Sequence, residues 1–407
     1  MELNNFINDN KIQNFDILKT KLEEHPYNLK FKYDDEYPNL ALIYNDVTSN
    51  LDEIIVRICN GIIIDKKTLK ILCYTFNKCS DNLNLPDNIC KDNLYIETSI
   101  EGTLIRMFYY EDKWIYSTKK CIDASKAKWL SDKNFIELFK DCILNNDNIK
   151  NIDNLENILN KNNCYSFIIT HPENKIVTPY TTANAFHIST RDMTSLNEII
   201  EDIKFLRIEK KKINKDYLET FFLQILKDMC ISYEGFIFID ENYNRWKILT
   251  PIFIKIRKLW GNSNNRFFRY LELRKNSDLL QEYIIYYPND QYNFIIYENK
   301  ISEFSKFILN KYTEKHILKL EVNSPYYLRK VLYELHGNYF KDKIRTDYNK
   351  IMNLLLGYDA KYLCHIINHY NKDMLNMSNI LDKKSEIKEK LYDDTYIDYS
   401  SEMMETN

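Results

Sequence analysis

Only six glycines occur in these 407 residues, against 32 tyrosines, and three of the six lead straight into an apolar run. Glycine permits backbone conformations and close approaches that a Cβ forbids, so in a chain this poor in it each glycine marks a spot that tolerates little else. Gly61 precedes Ile62-Ile63-Ile64, Gly102 precedes the run 104–110, and Gly235 precedes Phe236-Ile237-Phe238-Ile239. Short runs rich in Ile, Phe and Tyr, bounded by turn residues, read as strands. Residues 95–129 thus read as a strand, a glycine turn, a strand, the charged turn Glu111-Asp112-Lys113 and a further strand.

The rest of the chain alternates helical and strand-like patterns up to about residue 250 and is helical beyond. Apolar positions at Ile12, Phe15, Leu18 and Leu22 predict a helix over 11–24, stopped by Pro26. Strand-like runs follow at 40–44, 54–64 and 69–76. Helices are predicted over 132–143 and 152–159, with a strand at 165–169 between them and the next segment. Ser195-Leu196-Asn197-Glu198 has the form of a capping box and predicts a helix reaching Lys212. A helix over 217–229 leads into a hairpin made of 234–240 and 245–248. Thr250 and Pro251 have the chemistry of an N-cap and first helical residue. Later helices are expected from Ser324-Pro325 to Gly337 and from Thr346 to Gly357.

Composition bounds the function. Hydrophobic residues make up 44% of the chain, ample for a core, and the net charge of −3 leaves no global electrostatic footprint for nucleic acid. Any RNA-binding surface must be local. Nine cysteines show neither a Cys-x-x-Cys nor a metal-ligand rhythm, which reads as reduced thiols in a cytoplasmic protein. With no signal peptide evident and apolar runs far short of the ~20 residues a membrane helix needs, a soluble protein without membrane contact is expected. Abundant Asn, Lys, Ile and Tyr suggest an AT-rich genome, such as that of a large DNA virus.

Three segments together resemble the ATP-dependent RNA ligases of the bacteriophage RNA-repair type, within the covalent nucleotidyltransferase superfamily. Ser99-Ile100-Glu101-Gly102-Thr103 is similar to that family's Lys-x-Asp/Glu-Gly-Ser/Thr motif, Glu234-Gly235 and the following run to its fourth motif, and Lys247 to the first lysine of its fifth. The segment 165–180 is similar to its third motif. The resemblance covers about residues 40–280. It implies an α+β fold with a mixed antiparallel-sheet nucleotidyltransferase domain at 1–250; the residue pattern itself predicts an all-helical domain at 251–381 and, where charge replaces an apolar face, a mobile tail at 382–407. The resemblance also implies ATP and Mg²⁺ as ligands, and RNA as a partner beside a protein partner.

The departures matter as much. The family's nucleophilic lysine, whose amine takes AMP from ATP, is replaced by Ser99; Asn60, Ile168 and Leu249 stand where the family has an arginine, a glutamate and a lysine, and Lys175 replaces a further arginine. A serine hydroxyl with no base beside it is a weak nucleophile. What the resemblance implies is therefore a nucleotide site built from Glu101, Gly102, Thr103, Glu234, Lys247 and Lys119, with Glu234 and Glu101 toward metal, and with Ser99 unable to form the lysyl adduct. Lys119, Lys120 and Lys247 are the amines nearest in pattern. The alternatives are a working nucleotidyltransferase with another nucleophile or direct AMP transfer, and a structural or interaction protein that keeps only the fold. His365 and His369 fall at i and i+4 on a predicted helix without further ligands, and the tyrosines of 283–297 offer either stacking surfaces or plain packing.

Overall fold

The computed structural model describes residues 2–76, 79–81, 94–145, 149, 151–201, 203, 206–241, 243–261, 263, 265–321 and 323–393. Asn77 and Lys78, within the 40–280 stretch that the ligase resemblance covers, lie outside them. The chain divides into two compact units, Met1–Trp260 and Gly261–Asn407.

The first unit is built on strands β1 (Lys30–Lys32), β2 (Leu40–Tyr44), β3 (Ile62–Asp65), β4 (Ile71–Cys73), β5 (Ser80–Asp81), β6 (Leu94–Ser99), β7 (Thr103–Tyr110), β8 (Lys113–Ser117), β9 (Asn163–Thr170), β10 (Asn184–Asp192), β11 (Glu198–Ile199), β12 (Leu206–Arg207), β13 (Lys211–Ile213), β14 (Gly235–Ile239) and β15 (Arg245–Leu249). Its helices are α1 (Glu2–Asp9), α2 (Phe15–Glu23), α3 (Ile54–Ile58), α4 (Phe135–Leu144), α5 (Ile152–Ile158), α6 (Lys215–Lys227) and α7 (Pro251–Trp260). The strands form a four-stranded sheet in the order β1-β2-β3-β4, a six-stranded sheet β11-β10-β9-β7-β8 with β12 beside β10, and a five-stranded sheet β13-β6-β14-β15-β5. Pairing is antiparallel apart from β10 with β12 and β15 with β5. This is the mixed α+β architecture expected.

Alternation along the strands explains the layering. Ala41, Ile43, Ile62 and Ile64 face helices α1 to α3, while Leu40, Leu42, Ile63 and Cys73 face Phe108, Ile115 and Cys164 of the six-stranded sheet. The other face of that sheet carries Ile105, Met107, Phe167 and Ile169 against Leu138, Phe139 and Leu155 of α4 and α5. The five-stranded sheet covers one face with α6 through Phe236, Phe238 and Ile248. Its opposite face carries the candidate site.

Several expected elements differ. The apolar run 54–64 is not one strand: Ile54–Ile58 is helical and the strand begins at Ile62. Because the four-stranded sheet is buried on both faces, Ile62–Ile64 shows no alternation of its own, and the isoleucines on either side of Asn60-Gly61 carry no period to separate helix from strand. The helix expected from Ser195 is absent. Ser195 instead donates to Asp192 in a turn where Leu196 takes φ +59°, and the chain continues as β11, β12 and β13. Glu198 does not turn back on Ser195 because two arginines claim it. The predicted helices 11–24, 132–143 and 217–229 are present as α2, α4 and α6, α4 with a capping box between Asn134 and Glu137. Thr250 accepts the Phe253 amide at the start of α7.

The second unit contains α8 (Arg266–Leu273), α9 (Ser277–Tyr286), α10 (Asp290–Tyr312), α11 (Arg329–Asp342), α12 (Tyr348–Gly357) and α13 (Ala360–Asp393). Its core includes Tyr270, Tyr283, Phe294, Phe304, Leu332, Leu355 and Ile367. Gly337 lies inside α11 rather than ending it; Lys343 takes the left-handed C-cap with φ +57°. Asp347, one residue after Thr346, caps α12. Residues 382–393, expected in a charged tail, continue the backbone of α13, and 394–407 lie outside the described residues. Among the described residues no helix is long and apolar enough to cross a membrane.

Candidate functional site

In the five-stranded sheet, Ser99 stands opposite Gly235, and Gly235 opposite Leu249. Two residues further along, Glu97 stands opposite Ile237, and Ile237 opposite Lys247. Directly opposed residues share a face, and so do residues two apart on one strand. Glu97, Ser99, Arg245, Lys247 and Leu249 therefore project from the face that α6 does not cover. The polar face follows from the same alternation that buries Phe236 and Phe238.

Glu234 precedes β14 and is fixed by its backbone. Its amide donates to the Ser99 carbonyl at 2.8 Å, and its carbonyl accepts from the Thr250 amide at 2.9 Å. Gly235 is required here, since a Cβ would stand 2.0 Å from the Ile248 carbonyl oxygen. That close crossing lets the Glu234 side chain return over the sheet. The Ser99 hydroxyl donates to Glu234 Oε2 at 3.0 Å, across a sequence separation of 135 residues, and the Lys247 ammonium pairs with the same oxygen. Ser99 thus has a carboxylate beside it after all, contrary to the expectation of a hydroxyl without a base. Ser99 is 1% exposed, whereas the Lys247 side chain retains 22% exposure.

Glu101 lies on the crossing from β6 to β7. Its carboxylate accepts the Val177 amide at 2.9 Å and the Thr178 amide at 2.6 Å, and the Tyr180 hydroxyl donates to its carbonyl at 2.6 Å. Burial raises its pKa, the two amides oppose that, and the charge of Glu234 adds to it. The carboxylate is thereby engaged in holding the segment after β9. A Cβ on Gly102 would stand 2.4 Å from the Ile169 carbonyl oxygen and 2.6 Å from Ile168, the residue at the family's glutamate position. The Thr103 hydroxyl accepts from the Asn174 amide at 2.9 Å. Gly61 makes room for Lys119 and for Arg106, whose buried guanidinium donates to the carbonyls of Gly61 and Thr118. The Lys119 ammonium lies 5.4 Å from the Phe76 ring.

The sequence reading missed a second charged cluster on this face. Arg245 makes a bidentate pair with Glu198, at 2.8 and 2.6 Å, and Arg191 approaches Glu198 at 3.8 Å. Burial opposes the charge on both guanidinia; it prevails at Arg191, lowering its pKa, while Glu198's hydrogen bonds prevail at Arg245 and raise it. Tyr74 and Phe76 lie under Arg191 and Arg245, with ring centroids 4.2 and 5.1 Å from the guanidinium carbons. Arg245 and Glu97 were findable, since each stands two residues before a predicted site residue. Glu198 was hidden by its capping-box pattern.

Two cavities adjoin this cluster. One of about 330 Å³ is lined in part by Glu97, Thr190, Glu198, Lys210 and Tyr243, and one of about 370 Å³ by Tyr74, Phe76, Arg191, Glu198 and Tyr243. Ser99, Glu234 and Lys247 line neither. No group of three or more His, Cys, Asp or Glu side chains among the described residues could hold a metal ion by itself. Glu234 could contribute one carboxylate to a Mg²⁺ whose other ligands are polyphosphate oxygens and waters, the usual manner of Mg²⁺-nucleotide sites.

No family model matches the chain. It is 26% identical over 318 residues to an Immediate-early protein ICP-46 homolog of Invertebrate iridescent virus 6, covering 70% of this chain and 68% of that protein. It is 25% identical over 239 residues to the corresponding protein of Invertebrate iridescent virus 3, covering 56% of this chain and 51% of that protein. The chain thus matches about half the length of the latter. Among solved structures it is similar to a protein assigned as an ATP-dependent DNA ligase in Aquifex aeolicus, with TM-score 0.41 and 12% identity over 80% of both chains. It is also similar to an archaeal ATP-dependent RNA ligase, with TM-score 0.38 and 9% identity over 69% of this chain and 74% of that one.

Proposed function

We propose that the first unit is a nucleotidyltransferase-type domain of the RNA-ligase kind that binds ATP with Mg²⁺, and through it RNA ends, without forming a lysyl adduct. The observation that carries this reading is the convergence on Glu234 Oε2. Ser99 and Lys247, chosen from separate motifs, both reach that one oxygen. Lys247, partly exposed, would meet the phosphates, and Glu234 would give the metal a carboxylate. Bound Mg²⁺ would neutralise phosphate charge and orient the polyphosphate. Glu101 would act indirectly, by holding the Val177–Thr178 backbone against the site.

A second reading is favoured by the Ser99–Glu234 contact itself. The Ser99 oxygen would attack the α-phosphorus while its proton passes to Glu234 Oε2. The bond to the bridging oxygen would break, pyrophosphate would leave and a seryl phosphodiester would remain. The near-complete burial of Ser99 and the ammonium already on Oε2 count against it.

Equilibrium binding of ATP and GTP with Mg²⁺ tests the first reading. Affinity should fall about tenfold or more on Lys247→Ala, the loss expected for one charge-assisted phosphate contact, and also on Glu234→Ala. Wild-type protein that binds no nucleotide would overturn it in favour of an interaction protein keeping only the fold. Incubation with α-labelled ATP separates the chemistries: no labelled protein is expected. Label resisting base but not acid would reveal a lysine adduct and refute the proposal, and acid-stable label lost in Ser99→Ala would establish the second reading.

A further inference from the structure

The second unit holds a cavity of about 400 Å³ that uses no residue of the site above. Its walls come from Tyr326 and Tyr327 in the turn before α11, from Arg329 and Lys330 at its start, and from Tyr362, His365, Ile366 and His369 on α13. The volume falls in the range of ordinary ligand clefts, about 300–1,000 Å³. Its lining is unusual for a surface so rich in acids and amides: aromatic rings, imidazoles and two cations.

The rings are presented rather than packed away. Tyr326 is 82% exposed, with the Arg329 guanidinium 5.5 Å from its centroid. The Lys330 ammonium lies 4.6 Å from the Tyr362 ring and 5.7 Å from that of Tyr358. His369 stacks on Tyr327 with centroids 5.8 Å apart and planes 19° apart, and meets His365 edge-on at 4.5 Å. The nearby acids have partners of their own. Asp373 accepts the Tyr327 hydroxyl at 3.0 Å, and Glu334 accepts that of Tyr358 at 2.6 Å while reaching Lys330 only at 3.9 Å. Lys330 is thus only loosely paired with Glu334, and Arg329 enters no ion pair among the described residues, so both cations are open to a phosphate at the mouth.

We propose that this cavity binds single-stranded nucleic acid, with a base against the Tyr326 and Tyr362 rings and the adjoining phosphates on Arg329 and Lys330. Faces of aromatic rings accept any base, and an adjacent cation holds the backbone, which together give sequence-tolerant binding to a strand. The same chemistry would recognise a free nucleotide, but two cations near two rings suit a base with phosphates on either side of it.

The test uses the full chain and fluorescence anisotropy of a labelled oligouridylate at low salt. Tyr326 and Arg329 are exposed, so their replacement spares the core. Tyr326→Ala with Arg329→Ala should weaken binding by about tenfold or more, and Arg329→Ala alone should lower the slope of log affinity against log salt by about 0.7. Tyr326→Phe should bind as wild type. ATP affinity should be unchanged in all three, so failure here is distinct from failure of the first-unit site. The proposal is overturned if wild type does not bind the strand, if the double variant binds equally well, if Tyr326→Phe loses as much as the double variant, or if uridine monophosphate competes as well as the strand does.

Discussion

Replacing Glu198 with alanine tests whether the clamp between β11 and β15 is an energetic feature of the fold. The carboxylate is 5% exposed, Arg245 is 3% exposed and Arg191 11%. Truncation leaves Arg245 with a buried charge that has lost its hydrogen-bonded carboxylate, faced by the Phe76 ring and by the charge of Glu97 without a direct pair. Arg191 keeps the carbonyls of Thr75 and Leu196, at 2.6 and 2.5 Å, and suffers less. Removing one partner of a buried pair costs about 3–5 kcal/mol. In a unit of this size each kcal/mol moves the melting temperature by roughly 2–4 °C, so Glu198→Ala should lower it by about 6–20 °C. Glu198→Met with Arg245→Met should recover most of the loss, because an apolar pair of similar volume substitutes well for a buried ion pair. Thermal unfolding followed by circular dichroism, at 0.15 and 1 M NaCl, reads both. The deficit should persist at high salt, as screening acts weakly on buried pairs. A change below about 0.5 kcal/mol, the range of an ordinary surface substitution, would refute the reasoning.

Further outcomes follow from the same geometry. Gly235→Ala should cost about 3 kcal/mol or more, since its Cβ meets backbone that cannot yield, whereas Gly337→Ala, inside α11 with nothing within 4 Å of its Cβ, should stabilise by about 0.5–1 kcal/mol; denaturant titration distinguishes them. Burial raises the pKa of Glu97 above its ordinary 4.5, with Lys210 and Arg245 opposing. The native state therefore holds this proton to higher pH than the unfolded chain does, and the resulting penalty is absent below pH 4.5, grows as pH rises through the folded value and is complete above it. Glu97→Gln should accordingly gain stability relative to wild type at pH 8 and not at pH 4, and a pH-independent difference would contradict the burial argument. Glu101→Ala should weaken ATP binding through the freed Val177 and Thr178 amides, and Glu101→Gln, which can still accept one of them, should weaken it less; isothermal titration measures both.

What could be read from residues alone was whatever had a period or a rare residue type. The hairpin β14–β15 was legible because Gly235 opens the short apolar run Phe236-Ile237-Phe238-Ile239, a polar turn follows, and Trp246 and Ile248 then flank Lys247 in alternation. Ser99, Glu234 and Lys247 were each picked as candidates, but their meeting on one oxygen depends on pairing that no local pattern encodes. The doubly buried four-stranded sheet erased the alternation that would have separated α3 from β3. At 195–198 a local cap pattern competed with a long-range ion pair, and the buried pair prevailed. Gly337 misled because glycine often ends helices, while here the left-handed position fell to Lys343.

The strand order has a consequence for when the site can exist. β6 leaves for the six-stranded sheet at Gly102, and its own neighbours, β13 and β14, arrive more than a hundred residues later. The Ser99–Glu234 contact, which completes the cluster, is therefore a late one, whereas Glu234 and Lys247 meet across the local β14–β15 hairpin. Loop closure over such a span has to be met before any reward is collected, so folding of this sheet should be slow relative to the hairpins β2–β3 and β7–β8. On a ribosome adding about 5–20 residues per second, β6, with Leu94, Tyr95 and Ile96, waits many seconds for its neighbours. During that interval the nascent chain offers an open strand edge, and a chaperone or a second nascent copy would meet it before the nucleotide could.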